Sequence, residues 1–395
     1  MVLTAKQEEG LKIAVQRYRD REPWTVISGY AGSGKSTLIK FIIAALGVDP
    51  VEDVCYVAFT GKAANVLSQK GCPNAITAHK LLYYAKQMPN GKYIFDPKSR
   101  LDHQYKVIVV DEVSMLPKPM WDLLLRHKIY VLATGDPGQL PPIDPENDNH
   151  VLDHPHVFLD EVMRQAQDSE IIRLSMWIRD GNPLGAFPCN REQVQIVNKY
   201  EVVDGMYSWA DQILCATNAK RTEINNIVRN QKGFGTEPQI GDKVISLKNH
   251  WEWASHQGTW ALTNGSIGTI SNMDKKVIVL PPYITDKRLS VLYTDINLDD
   301  GDKFDSVPID YTALTTGQPI LEPRQMFLMK KNKSLPVVPF EFAYAYAITT
   351  HKAQGSEWSK VLVFEEWFPN VPEEHKRWLY TAATRASDKL VIVKK

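Results

Sequence analysis

Residues 29–37 read GYAGSGKST, and no other stretch restricts the fold as tightly. It satisfies G-x-x-x-x-G-K-[ST] at every fixed position, through Gly29, Gly34, Lys35 and Ser36. The preceding WTVIS (24–28) is β-rich and apolar, and the following TLIKFIIAAL (37–46) has helical apolar spacing. A strand that enters such a loop and leaves as a helix cradles phosphate. Glycines, Gly32 among them, let backbone N–H groups turn inward, and the helix N-terminus adds partial positive charge. Lys35 is predicted to reach the β- and γ-phosphates of a nucleotide and Ser36 to hold Mg²⁺, with Ser33 and Thr37 completing the cradle.

A second acidic element agrees. YKVIVVDEVSM (105–115) is an apolar run that ends in Asp111-Glu112. An acid at the end of a buried strand suits Mg²⁺, which assigns Asp111 to the metal. Glu112 beside it is placed to accept the proton of an attacking water. Further apolar runs, CYVAFT (55–60) and KIYVLATGD (128–136), alternate with helical segments at 62–69 and 118–127. That alternation predicts a parallel α/β sheet, whose ligands gather at the carboxyl ends of its strands. GDPGQLPP (135–142) is a stiff turn there, and its Gln139 offers an uncharged amide to a γ-phosphate.

The alternation resumes later, in QILCATN (212–218) with AKRTEINNIVRN, then 342–355, 359–366, 373–386 and 389–395. This half has no phosphate loop of its own, so it is predicted to supply charge from across a cleft. Arg164 in LDEVMRQ (159–165) and Arg385 in YTAATRA (380–386) are the candidates for the γ-phosphate.

In this order the blocks resemble the superfamily-one DNA helicases of the RecD and phage Dda group, along the whole chain. TAKQ (4–7) resembles the Q motif, with Gln7 as adenine reader. The next blocks are GYAGSGKST, AFTGKAANVL (58–67), ITAHKLL (76–82), VDEVSM, GDPGQLPP and EVMRQ, and TTHKAQGSEW (349–358) and YTAATRA close the series. Where the last block of the family usually has a larger apolar residue, this chain has Ala383. The resemblance implies two RecA-like domains, at 1–165 and at 166–246 with 339–395. It adds a small β-hairpin at 84–104 and an SH3-like β-barrel insertion at 247–338. It implies ATP and Mg²⁺ between the domains, and Gly355 joins the nucleotide-binding set. It also implies single-stranded and forked DNA as partner, movement 5′ to 3′, and a monomeric motor in a bacterial or phage-infected cytoplasm. Single-strand-binding or replication proteins are its candidate protein partners. Thr60, Lys62, Thr77, His79, Thr349, His351 and Lys352 fall in blocks that contact DNA, where hydroxyls and lysines suit phosphates.

Asn90-Gly91 is a hairpin-turn signal, and Tyr93 and Phe95 beside it either stack on the last base pair of a fork or fold down onto the protein. The segment WEWASHQGTWALTNGSIGTI (251–270), then VIVLPPY, SVLYTDIN and QMFLMKK, reads as short strands of a small barrel. Trp251, Trp253 and Trp260 either fill its core or stack on bases.

Composition sets outer limits. The 46 basic and 46 acidic residues cancel, which argues against a broad nucleic-acid surface but not against a basic groove. Four widely spaced cysteines predict neither a disulfide framework nor a zinc site. The start, MVLTAKQEEGLKIAVQ, has no signal-peptide core, and no run is long enough to span a bilayer, so export and a membrane are not expected. A nucleotide-gated regulatory ATPase and an RNA remodeller acting through a partner remain as rival readings. A small-molecule kinase leaves residues 190–395 unexplained.

Overall fold

The structure is a computed structural model. It describes residues 3–87, 93–141, 148–163, 168–254, 261–299, 301–332, 334–336 and 338–395. In the first part the strands are β1 (Trp24–Gly29), β2 (Val54–Ala58), β3 (Ala75–Thr77), β4 (Tyr83–Gln87), β5 (Tyr93–Pro97), β6 (Val107–Val110), β7 (Tyr130–Gly135) and β8 (Val157–Leu159). Six of them form a sheet in the order β3-β2-β6-β7-β1-β8, with every pairing parallel. Parallel strands bury both faces, so they read as unbroken apolar runs. Neighbouring residues accordingly enter opposite cores. Ile27, Val107 and Leu132 pack on one face with Leu38 and Ile42. Val26, Ile108 and Val131 pack on the other with Leu82 and Leu124.

β4 and β5 stand apart as an antiparallel pair, in register from Tyr83↔Pro97 to Gln87↔Tyr93. The Asn90-Gly91 turn between them lies outside the described residues.

The later strands are β9 (Val194–Asn198), β10 (Gln212–Cys215), β11 (Lys243–Ser246), β12 (His250–Ala254), β13 (Ala261–Leu262), β14 (Ile267–Val279), β15 (Arg288–Leu298), β16 (Lys303–Asp310), β17 (Phe342–Tyr344), β18 (Ala347–Thr349), β19 (Trp358–Phe364) and β20 (Ala386–Lys394). A second parallel sheet runs β18-β10-β19-β20-β9. An antiparallel sheet, β16-β15-β14-β11-β17, lies between its halves in sequence, with β12–β13 beside it. Its core holds Val244, Ile296, Phe304 and Phe342. Trp253 packs on that core, its ring edge-on to Phe340 and its indole N–H donated to Asp305 O at 3.3 Å. Trp260 and the Trp251 side chain lie outside the described residues. A buried ion pair ties helix Asn218–Gln231 to the start of β11: Arg229 Nε and Asp242 Oδ1 are 2.9 Å apart, with the guanidinium over the Tyr344 ring.

Two sequence expectations change here. QMFLMKK, predicted as a strand, is part of helix Pro323–Lys331. Glu322 and Gln325 close a capping box, Pro323 sits in the first turn, and unbranched Gln, Met, Leu and Lys favour helix. VIVLPPY and SVLYTDIN are not separate short strands. They contribute to β14 and β15, which pair with each other from Gly268↔Leu298 to Val279↔Arg288. Among the described residues no helix is long and apolar enough to cross a membrane.

Candidate active site

The phosphate loop emerges from β1 and enters helix Lys35–Leu46. Gly32 and Gly34 take φ of 76° and 80°, a region that β-carbons disfavour. A Cβ on Gly34 would also stand 2.5 Å from Gln7 Nε2. Gln7 is buried beneath the loop, donating to Ser33 O at 3.2 Å and accepting from Thr4 N–H at 3.1 Å. Among the described residues, one N–H and one lone pair of its amide are left for another partner. Lys35 Nζ donates to the loop's own carbonyls, Gly29 O at 2.6 Å and Tyr30 O at 3.1 Å. Among the described residues, the buried Ser33 hydroxyl has no hydrogen-bond partner. An unsatisfied hydroxyl and a lysine resting on carbonyls are what a phosphate-binding loop leaves open to an anion.

Asp111 follows β6, and Thr134 of β7 donates to its Oδ1 at 2.9 Å. Glu112 has φ of 50°. Gln139 Nε2 donates to its Oε1 at 3.3 Å. Desolvation, then the Asp111 charge, push the Glu112 carboxyl above its ordinary range, and Arg385 and Lys35 oppose them.

Residues from the second half face this row. A cavity of about 170 Å³ is lined by Ser36, Asp111 and Glu112 on one side and by Gly355, Thr384 and Arg385 on the other. The Ser36 hydroxyl and the Asp111 carboxylate are hard oxygen donors that fit Mg²⁺. Arg385 lies just past helix Pro372–Ala383 and is held by Thr381 O, Ser356 O and Thr384 Oγ1 at 3.1–3.2 Å. Thr37 sits in the first turn of helix Lys35–Leu46. Arg164 lies outside the described residues, while Met163 before it hydrogen-bonds Gly32 O at 3.0 Å.

The remaining sequence candidates collect at strand ends. Thr60 and Thr77 cap the helices that follow β2 and β3, each accepting a backbone N–H at 3.2 Å. Thr349 precedes helix Thr350–Ala353, which carries His351 and Lys352. Burial holds His79 and His351 below the usual imidazole range. Lys352 is lowered by burial first and then by the nearby Arg221 charge. His79 lies among the Phe59, Tyr83 and Phe95 rings, at 5.6–6.0 Å between centroids. Phe95 is therefore folded down onto the protein. The Lys62 and Tyr93 side chains lie outside the described residues.

Sequence reasoning missed four groups. Thr217 caps the helix after β10 as Thr60 does after β2, and it donates to Glu366 at 2.7 Å. The repeated strand–Thr–helix pattern was the available signal. Tyr380, Asp136 and Gln354 join the two halves directly. All three lie inside quoted motifs, but no spacing announces their contact.

The AAA domain family model matches residues 3–200, and the UvrD-like helicase C-terminal domain model matches residues 344–393. The chain is 25% identical over 268 residues to ATP-dependent DNA helicase dda of Enterobacteria phage T4, covering 62% of this chain and 60% of that protein. It is 26% identical over 391 residues to ATP-dependent RecD2 DNA helicase of Deinococcus radiodurans, covering 92% of this chain and 46% of that one. It thus spans about half to three-fifths of the length of these relatives. Two solved structures share its fold. The Pif1 helicase from Candida albicans has a TM-score of 0.54 at 19% identity, covering 100% of this chain and 94% of that one. The Pif1 helicase from Bacteroides in complex with ADP-AlF3 and ssDNA has a TM-score of 0.55 at 17% identity, covering 100% and 92%. With a phosphate loop and an acid pair facing an arginine from the second half, and with these matches along its length, the chain belongs to the AAA-domain family and to the superfamily 1B helicases of the RecD and Dda group.

Proposed function

We propose that the chain is an ATP-driven motor that moves along single-stranded DNA, 5′ to 3′, and separates duplex at a fork. The observation that carries this is the cavity where Ser36, Asp111 and Glu112 of one half meet Gly355 and Arg385 of the other. A nucleotide bound there touches both halves, so its hydrolysis changes how they sit together. In this reading residues 1–165 form the first RecA-like domain, and residues 166–246 and 339–395 form the second. Residues 84–104 are a pin at the fork. Residues 247–338 are an SH3-like insertion that clamps the strand.

Lys35 exchanges its two carbonyl partners for phosphate oxygens. Ser36 and Asp111 would hold Mg²⁺, which would supply neutralising charge to the phosphates. Glu112 takes a proton from water, and its raised pKa makes it a stronger base than an ordinary carboxylate. Arg385, with Arg164, stabilises charge on the transferring phosphoryl group. Gln7 meets the adenine with its remaining amide capacity. Thr60, Lys62, Thr77, His79, Thr349, His351 and Lys352 line the strand ends of both sheets and grip backbone phosphates without reading bases. Separation of one base pair costs roughly 1.4 kcal/mol in stacking terms, well within one ATP. The relatives named as DNA helicases, and the Bacteroides neighbour held with ADP-AlF3 and ssDNA, support DNA as the track.

The test is the ATP hydrolysis rate alone, with single-stranded DNA and with single-stranded RNA, for wild type and for Lys35→Ala. Strong stimulation by DNA, abolished in the variant, is expected, followed by separation of 5′-tailed but not 3′-tailed duplex. Stimulation by RNA alone would replace the track. No stimulation by either would replace the motor with a switch.

A further inference from the structure

One buried phenol joins the two halves. Tyr380, on helix Pro372–Ala383, is 1% exposed. Its hydroxyl accepts a 2.9 Å hydrogen bond from the Ala31 N–H, inside the phosphate loop, and donates a 2.7 Å bond to Asp136 Oδ2, just past β7. Asp136 is itself 2% exposed, and its other oxygen accepts the Gly138 N–H at 2.9 Å. The ring fits closely, since a Cβ on Gly138 would stand 3.0 Å from it. Two further contacts lie alongside. Thr381 Oγ1 accepts the Leu140 N–H, and Gln354 Nε2 donates to Leu140 O, each at 2.9 Å.

The 136–140 loop is therefore gripped by three side chains of the second half, although it grows from a strand of the first. Gln139 within it reaches Glu112. A loop anchored in this way follows the half that holds it. The phosphate loop is attached to the same hydroxyl. A phenol donating to a buried carboxylate makes a charge-assisted bond, stronger than a neutral one. Desolvation and the Asp136 charge keep that phenol protonated.

We infer that Tyr380 is a positioning residue for hydrolysis: its hydroxyl holds the phosphate loop and the Gln139 loop in one register, so that the placement of the second half is felt at Glu112. The inference rests on the ATP-hydrolysis reading above and assigns that site a residue which touches neither phosphate nor metal. Tyr380→Phe keeps the ring and removes only the hydroxyl. Steady-state hydrolysis by the full chain is measured at saturating oligothymidylate, beside wild type, together with the melting midpoint. The expected result is a fall in kcat of about tenfold or more with KM for ATP within about threefold, the signature of an interaction that matters in the transition state. The melting midpoint should fall by only a few degrees, because the Ala31 N–H and the Asp136 carboxylate each lose one partner, and the chain stays folded at the assay temperature. An unchanged kcat would overturn the inference. So would a fall in kcat matched by an equal loss of folded chain at the assay temperature, which reduces the hydroxyl to a packing role. Should the Phe variant not fold, Thr381→Val removes the neighbouring contact to Leu140 and decides in its place. A selective loss of kcat supports the inference, and none overturns it. A wild-type chain that hydrolyses no ATP under any condition would instead remove the proposed function, so the two failures are told apart.

Discussion

Glu112 holds its backbone at φ of 50°, where a residue with a β-carbon pays about 1–3 kcal/mol in strain. The twist directs its carboxyl toward Gln139 and into the cavity that Arg385 also lines. Arg385 opposes the rise in the Glu112 pKa, which gives Arg385→Ala a double signature. With ATP still bound, kcat should drop by about 10³, the lower end for a lost arginine in phosphoryl transfer. The acid limb of the pH–rate profile should also move to higher pH, because losing a positive neighbour raises the Glu112 pKa further. An unchanged kcat would take Arg385 out of the site. Lys35, Ser36, Asp111 and Arg385 were legible in the sequence because each sits in a short pattern whose spacing carries the chemistry. Tyr380 and Gln354 were not. Their partners lie 244 and 214 residues away, and only the packed halves bring them together.

At the scale of elements, the strand pair β4–β5 is anchored by Phe95, whose ring meets both Tyr83 and His79. His79 belongs to the helix that Thr77 caps, so the pair and the strand-end row share one aromatic cluster. Phe95→Ala removes that anchor, whose ring contacts are worth about 0.5–1.5 kcal/mol each, and should lower duplex separation about tenfold while changing DNA-stimulated hydrolysis far less. Equal losses in the two assays would make the pair a folding element only. The parallel strands were readable because burial on both faces writes continuous apolar runs. Helix Pro323–Lys331 was not, because QMFLMKK is too short for period alone to separate helix from strand, and its start is set by Glu322 and Pro323 outside the stretch. The lengths of β14 and β15 were also hidden. Lys275 and Lys276 break the apolar run, and only the partner strand shows that pairing continues past them.

In the whole molecule, the start of the antiparallel sheet is tied to the helix that follows β10 by the Arg229–Asp242 pair. Both side chains are almost fully buried. Asp242→Ala leaves a guanidinium without its counter-charge and should destabilise by about 3–5 kcal/mol, visible as a lower melting midpoint. A midpoint equal to wild type would show that solvent reaches Arg229. The sheet order has a consequence in time. Among the described residues β9 pairs with β20 alone, and β20 closes its sheet between β19 and β9. At about 5–20 residues per second, a ribosome needs roughly 10–40 s to travel from β9 to β20. The first sheet has every strand in hand before β9 is made. The second waits, with β9 lacking its strand partner, until Ala386–Lys394 leaves the exit tunnel. During synthesis, then, a phosphate loop stands ready long before the arginine that would complete its cleft.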